Sequence, residues 1–306
     1  MTPAPVTHAD PRAAILATIA GMAAFGVSDA CMKLASAHHP VGQTIALRGV
    51  FASLMMTALA LSLGALHLHR GLLAPPFLLR TAGEIGASVF LFLALARMPI
   101  AEATAILQFL PLALTAASAV VLREAVGWRR WSATLVGLAG VLLIVRPGTP
   151  NFGGPSLLML ACVASVTVRD LSTRRISGAI PSMTVAWATT IAVMASGAAL
   201  DPPAVWTAPG PGTWGLLAVS GVGVLIGNLM IITSVRAAPV SVLAPFRYTS
   251  VLFALISGFL VWREVPDSLT LAGIAIVIAA GLYTFHRERV AAKGRGATSA
   301  SHPAAG

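Results

Sequence analysis

The stretch Pro99–Glu124, PIAEATAILQFLPLALTAASAVVLRE, occurs a second time as Pro239–Glu264, PVSVLAPFRYTSVLFALISGFLVWRE. An offset of 140 residues carries Pro99 onto Pro239, Arg123 onto Arg263 and Glu124 onto Glu264. Each copy is an apolar run of helix-spanning length between a proline and an Arg-Glu pair. The register extends in both directions. An offset of 141 places Asp29 on Asp170, Lys33 on Arg174, Pro40 on Pro181 and Gly140 on Gly281. A spacing that drifts by one residue across so many anchors reads as the duplication of a unit of about 140 residues. Any fold for this chain has to build the same unit twice.

What that unit is made of follows from its apolar content. The chain is 57% apolar and 10% charged, with a mean hydropathy of +0.86, against about 45–50% and 25% in soluble domains. A soluble body of this composition would lack the polar surface to cover itself. A membrane-spanning helix needs about 20 predominantly apolar residues. Ten such windows are present, at residues 13–36, 41–63, 76–97, 100–122, 129–146, 155–176, 181–200, 212–236, 240–262 and 267–286. Short turn-forming pairs such as His39-Pro40, Pro75-Pro76, Pro147-Gly148 and Pro202-Pro203 separate them. The expected fold is an all-α integral membrane protein of ten transmembrane helices, arranged as two inverted five-helix repeats. The expected boundaries are a disordered tail at 1–11, repeats at 12–147 and 148–288, and a basic disordered tail at 289–306. The start, MTPAPVTHADPRAA, lacks the pattern of a cleaved signal peptide.

The basic residues orient this array. Thirteen Lys and Arg, from Arg12 to Arg295, fall on one set of faces, and only Lys33, Arg97, Arg146 and Arg263 on the other. The richer side is cytoplasmic by the positive-inside rule, so both termini are expected inside, in the cell's inner membrane. Five helices is an odd number, so the second repeat enters the membrane upside down. Arg123-Glu124 then lies inside and Arg263-Glu264 outside. The same bias explains the net charge of +10 without a nucleic-acid partner. Inverted repeats of this kind form substrate sites at their interface, near the midplane.

Several function classes have no sequence support. There is no H-E-x-x-H, G-x-S-x-G or P-loop, which argues against a membrane protease, an esterase or an ATP-driven pump. Cys31 and Cys162 stand one per half without metal spacing, and His67-Leu68-His69 supplies too few ligands. No cofactor, metal or catalytic residue is expected.

Three segments resemble a known family: GMAAFGVSDACMKLA with Arg48 downstream, VVLREAVGWRRWSATLVGLAGVLLIVRPG, and FRYTSVLFALISGFLVWREVPDSLTLAGIAIVIAAGLY. They are similar to the paired EamA-type units of the drug/metabolite transporter superfamily, over about residues 13–286. The resemblance implies a ten-helix secondary carrier of small metabolites, commonly an exporter. The expected function is export of a small polar metabolite across the inner membrane by alternating access. The alternatives are an uptake carrier for a riboflavin- or S-adenosylmethionine-like metabolite and, less favoured, a membrane-embedded enzyme acting on lipid-linked substrates. The expected partners are the substrate, the lipid bilayer and a proton as candidate coupling ion.

A charge at membrane depth costs about 2.5–3.5 kcal/mol at a helix centre, so each calls for a reason. Asp29 and Lys33 are spaced to pair on one helix face, with Arg48 nearby. Glu84 has only Arg80 within a turn, and Arg247 is its expected partner. Asp170 repeats Asp29, and Arg169 beside it is expected to point about 100 degrees away. Gln108 and Tyr248 are equivalent in the repeat and stand near Pro111 and Pro245, which remove backbone donors inside their helices. Asn228 follows Gly223 and Gly227, a spacing that also serves close helix packing. The expected substrate-binding set is Gln108, Asn228, Arg247, Tyr248 and Arg48. The expected coupling or gating set is Glu84, Asp29, Lys33 and Asp170. Structural ion pairing is the competing explanation for the charged members.

Overall fold

In the computed structural model, the described residues are 11–62, 64, 70–123, 127–147, 153–176, 180, 182–238 and 240–300, and no strand occurs among them. The helices are α1 (Pro11–Ser36), α2 (Val41–Ser62), α3 (Pro75–Leu95), α4 (Ile100–Leu107), α5 (Leu110–Val121), α6 (Trp128–Val145), α7 (Gly154–Thr173), α8 (Ser182–Leu200), α9 (Pro211–Ala237), α10 (Val240–Arg247), α11 (Thr249–Ser257) and α12 (Ser268–Ala300). Proline opens α3, α7 and α9 in the first turn, where its missing N–H deprives no helical bond. The repeat anchors Glu124, Pro181 and Pro239, the boundary at 148, and His67 to His69 lie outside the described residues.

Eight helical stretches are long and apolar enough to cross a membrane. Two more, Trp131–Val145 and Ser268–Thr284, are apolar but shorter. The backbone of α12 nevertheless runs on as helix to Ala300, past residue 289 where a disordered tail was expected. Its Ala, Lys and Arg residues favour helix, against Gly294 and Gly296.

The halves do not fold side by side. The main helix pairings are α1 with α9, α2 with α8, α3 with α7 and α6 with α12, and each joins an element before residue 147 to one after 153. Glycines permit these approaches. A Cβ on Gly83 would lie 2.8 Å from the Ser165 oxygen and the Arg169 nitrogen, and one on Gly223 would lie 2.9 Å from the Ala24 oxygen and 3.2 Å from Ser28 Cβ. These two contacts are related by the repeat: Gly83 precedes Gly223 by 140 residues, and Ala24 and Ser28 precede Ser165 and Arg169 by 141. Gly42 meets Gly197, and Gly140 meets Gly273, in the same close manner. The largest apolar cluster draws Met32, Ile45, Leu95 and Ile106 from one half and Met159, Leu217 and Val277 from the other, so the core is the seam between them.

Both copies of the duplicated stretch are broken helices, and the breaks coincide at an offset of 140. Between α4 and α5, the Gln108 N–H is shared between the Thr104 and Ala105 carbonyls, each at 3.2 Å, and the Phe109 N–H tightens onto Ile106 at 3.0 Å. Between α10 and α11, the Tyr248 N–H reaches the Pro245 carbonyl at 3.3 Å, and the Val251 N–H the Tyr248 carbonyl at 3.1 Å. Pro111 explains the first break sterically. Pro245 does not explain the second in that way, because the helix runs through it and opens three residues later. Both copies then end on a left-handed arginine, Arg123 at φ 54° and Arg263 at φ 57°, a conformation costing about 1–2 kcal/mol for a residue with a side chain. The copies pack differently, however. α4 and α11 lie against α7 and α1, as their counterparts α10 and α5 lie against α1 and α7, but α4 also packs on α11, whereas among the described residues α10 and α5 make at most a slight contact.

Candidate functional site

Where α3 crosses α7, the Gly83 contact brings the α7 backbone against α3 and gathers a polar cluster. Glu84 Oε2 lies 3.4 Å from Arg169 Nη1 and 3.9 Å from Arg80 Nη2. Arg169 Nε donates to Asp170 Oδ1 at 2.8 Å, and Arg80 Nη1 donates to Thr189 Oγ1 of α8 at 3.1 Å. Two expectations are corrected here. The partners of Glu84 are Arg169 and Arg80, not Arg247, because the close crossing delivers α7 first. Arg169 and Asp170 do meet, since the long guanidinium arm folds back over the 100 degrees that separates neighbours.

The repeat-related crossing of α1 on α9 is nearly uncharged. Ser28 and Ser220, the counterparts of Arg169 and Arg80, share a hydrogen bond at 2.8 Å, and Ser220 Oγ also donates to the Ser28 carbonyl at 3.1 Å. Beside them the Asp29 and Arg48 charges interact, and Arg48 interacts in turn with Glu84. The Arg48 guanidinium sits over the Phe92 ring at 4.7 Å. Asp29 and Lys33 form no ion pair, because Lys33 is claimed from the other half.

Arg247, at the end of α10, is exposed and has no ion pair within 4 Å among the described residues. Its charge interacts with those of Asp170 and Arg169 on α7. Tyr248 is buried, with its hydroxyl against Gly281 and without a hydrogen-bond partner among the described residues. Gln108 is half-buried at the other break. Asn228 is exposed and donates to the Val224 carbonyl of its own helix at 3.0 Å, so the structure does not draw it into the cluster. Among the described residues the interacting charges of this cluster are Arg48, Arg80, Arg169 and Arg247 against Asp29, Glu84 and Asp170, a surplus of one positive charge.

A second set of contacts occupies one end of the bundle. Lys33 Nζ lies 2.6 Å from Glu264 Oε1 and donates to the Met98 carbonyl at 2.9 Å. Its ammonium also lies over the Trp262 ring at 4.7 Å. Glu264 Oε2 accepts the Ile100 N–H at the start of α4 at 3.1 Å. The turn that brings Glu264 there combines a π-helical Gly258–Trp262, the left-handed Arg263 and a bond from the Glu264 N–H to the Gly258 carbonyl. Nearby, Arg146 Nη2 donates to both carboxylate oxygens of Asp267, which also caps α12 by accepting the Thr270 N–H at 2.9 Å. Arg146 first and Thr270 second hold the Asp267 carboxyl well below the usual carboxylate range. A cavity of about 340 Å³ opens here on Arg97, Met98, Pro99, Glu102, Arg146 and Asp267.

Sequence reasoning missed Glu264 as a site residue, although it anchors the repeat, and missed Ser28, Ser220 and Thr189, which carry no charge signal. Among the described residues no three His, Cys, Asp or Glu side chains gather as metal ligands.

Comparison with known proteins bears on this arrangement. Residues 12–146 and 153–285 match the EamA-like transporter family. The chain is 29% identical over 277 residues to the pseudopaline exporter CntI of Pseudomonas aeruginosa (strain UCBPP-PA14), covering 88% of this chain and 94% of that protein. It is 26% identical to the S-adenosylmethionine uptake transporter of Rickettsia bellii, covering 74% of each. It is 28% identical to a riboflavin transporter of Vibrio cholerae, covering 63% of this chain and 65% of that one. A protein known from its crystal structure shares the fold with a TM-score of 0.59 at 20% identity, over 88% of this chain and 96% of that chain.

Proposed function

Because this chain belongs to the EamA-like transporter family, whose named relatives are transporters and not enzymes, we propose that it is a secondary carrier exporting a small, carboxylate-bearing polar metabolite. It works by alternating access between two inverted five-helix repeats, in the inner membrane, with both termini cytoplasmic. The repeat-related contacts of Gly83 and Gly223 support the duplicated architecture. Every main pairing also remains a pairing when the halves are exchanged. The thirteen-to-four distribution of Lys and Arg supports the orientation.

One observation carries the substrate class: the half-exposed charge network on the seam has a positive surplus and ends at an open arginine. Arg247 cannot shed its charge, and a planar fork receives a carboxylate in two parallel hydrogen bonds. A substrate carboxylate arriving there competes with Asp170 for the guanidinium, which couples binding to the α7 cluster. For proton coupling Asp29 is the better-placed acid. Glu84 already has two arginine partners, whereas Asp29 has no ion pair among the described residues. Export is favoured over uptake because the match to a named exporter extends over 94% of that protein.

Counterflow in proteoliposomes against pools of anionic, zwitterionic and cationic metabolites tests the reading. Carboxylate-bearing compounds should exchange and purely cationic ones should not. Arg247→Lys should weaken binding at least tenfold while the protein still inserts. Wild-type kinetics in that variant would remove the two-bond contact from the mechanism.

A further inference from the structure

The two ends of the seam are unequal. By the repeat, the packing of α4 on α11 has a counterpart in α10 and α5, yet among the described residues those two helices make at most a slight contact with each other. On the proposed orientation α4 and α11 are the outer halves of their broken spans, so the seam is shut at its outer end. At that end the Glu264 carboxylate holds two elements at once: Lys33 of α1 through one oxygen and the first N–H of α4 through the other. The second site has its own energetic logic, since a helix N-terminus carries partial positive charge and favours an anion. The strained turn at Arg263 and the π-helical turn before it serve to aim this one carboxylate.

The contact also stands at a boundary. Lys33 shares its ammonium between Glu264 and the Met98 carbonyl, and Met98 and Pro99 line the 340 Å³ cavity. That volume lies in the range of small-molecule sites, about 300–1,000 Å³. It presents a cation in Arg97 and an acid in Glu102, and neither has an ion pair among the described residues. Opposite charges on one small cavity fit a zwitterion, with the carboxylate toward Arg97 and an ammonium toward Glu102.

We propose that this cavity is an outer vestibule for an amphoteric small metabolite, and that Glu264 is the latch separating it from the charge network by tying Lys33 to the start of α4. The proposal rests on the carrier reading and deepens it. Releasing the carboxylate from either partner frees α4 to part from α1 and α11, and the vestibule then joins the seam. In transport terms Glu264 is a positioning residue: it sets the balance between outward-open and outward-closed forms without touching substrate at the central cluster.

Sidedness of access tests this without knowing the substrate. Ser88 is half-buried on α3, one turn beyond Glu84 on the same face. A Ser88→Cys reporter, in a chain with Cys31 and Cys162 replaced by Ser, is labelled with a membrane-impermeant maleimide in right-side-out and inside-out vesicles. With the latch intact, labelling should be faster from the cytoplasmic side. Glu264→Gln and Lys33→Met should each raise labelling from outside about tenfold, a shift of about 1.4 kcal/mol. Glu264→Asp keeps the charge but reaches only one of the two partners, so it should fall between, and it remains informative where a stronger variant fails to fold. Unchanged outside labelling in all three variants, with a sided parent, overturns the latch alone. A parent labelled equally from both sides overturns alternating access and the latch with it. For the vestibule, isothermal titration with glycine betaine, acetate and tetramethylammonium on the purified protein should favour the zwitterion, and Glu102→Gln with Arg97→Gln should abolish that preference. A preference unaltered by those changes rules out the cavity as its origin.

Discussion

Removing the Tyr248 hydroxyl should stabilise the protein and impair it. Tyr248 is 7% exposed, and its hydroxyl has no hydrogen-bond partner among the described residues. A buried polar group left unsatisfied costs about 1–3 kcal/mol, and Tyr248→Phe deletes that cost while keeping the ring that fills the helix break. Taking the low end, a gain of about 1 kcal/mol corresponds to a rise of about 2 °C in unfolding midpoint for a chain of this size. Cost without compensation in the empty protein points to a group held for a ligand. If substrate supplies the missing hydrogen bond, Tyr248→Phe should raise KM for counterflow about tenfold, or about 1.4 kcal/mol. The assays are thermal unfolding in detergent and sided exchange in proteoliposomes. A lower midpoint would mean the hydroxyl is already satisfied in the native state, and an unchanged KM would mean it never meets substrate. Either result refutes the reasoning. Gly281 provides a control, because a Cβ there would overlap the hydroxyl and lie 2.6 Å from the ring carbon bearing it. Gly281→Ala should cost about 1–3 kcal/mol by overpacking, and part of that should return when Tyr248→Phe is added.

The other expectations can be checked independently. Asp29→Asn should abolish concentrative transport while leaving downhill exchange measurable; a variant that still concentrates substrate removes Asp29 from coupling. Alkaline phosphatase fused after Ala208 should be active and after Gly127 inactive, and the reverse pair would overturn both the orientation and the inverted repeat. Asp267 is held below its ordinary range by Arg146 and Thr270, so its contribution is complete above the unfolded carboxylate pKa and is lost only as pH falls through the lower folded value. The stability difference between wild type and Asp267→Asn should therefore be constant from pH 5 to 8 and shrink only in strong acid; a difference that varies between pH 5 and 8 would place another group in control.

The parts of this fold legible in the sequence were those with a period or a charge. The anchors at an offset of 140 located the two broken helices, because a span of fixed thickness forces equivalent elements to equal length. Side-chain pairing was legible only where partners share a helix. Asp29 and Lys33 have the right spacing to meet, yet Lys33 is taken by Glu264, 231 residues away, and no local rule sees that competitor. Glu84 has only Arg80 within a turn, so the sequence alone points to Arg247 as its partner. The Gly83 crossing, which delivers Arg169 instead, depends on how two helices are rotated. The break at Tyr248 was attributed to Pro245, but the tightened hydrogen bonds fall after the proline and at the residue equivalent to Gln108. There the duplicated architecture, not the local chemistry, decides where the helix opens.

A duplicated scaffold with identical chemistry in both halves would have no preferred direction, since every outer contact would have an equal inner one. Here the backbone is repeated and the side chains are not. The crossing at Gly223 holds two serines joined by a hydrogen bond, while its counterpart at Gly83 holds two arginines around a glutamate. The serine contact itself can separate or close at little electrostatic cost. The charged one has to keep Glu84 compensated in every state, because uncovering a partly buried ion pair leaves a charge without a partner. On the proposed carrier reading, that difference assigns the fixed side to the α3–α7 seam and the moving side to the α1–α9 seam. The Lys33 contact that pins α1 to Glu264 then stands on the part that has to move, which is where a latch acts with the longest lever.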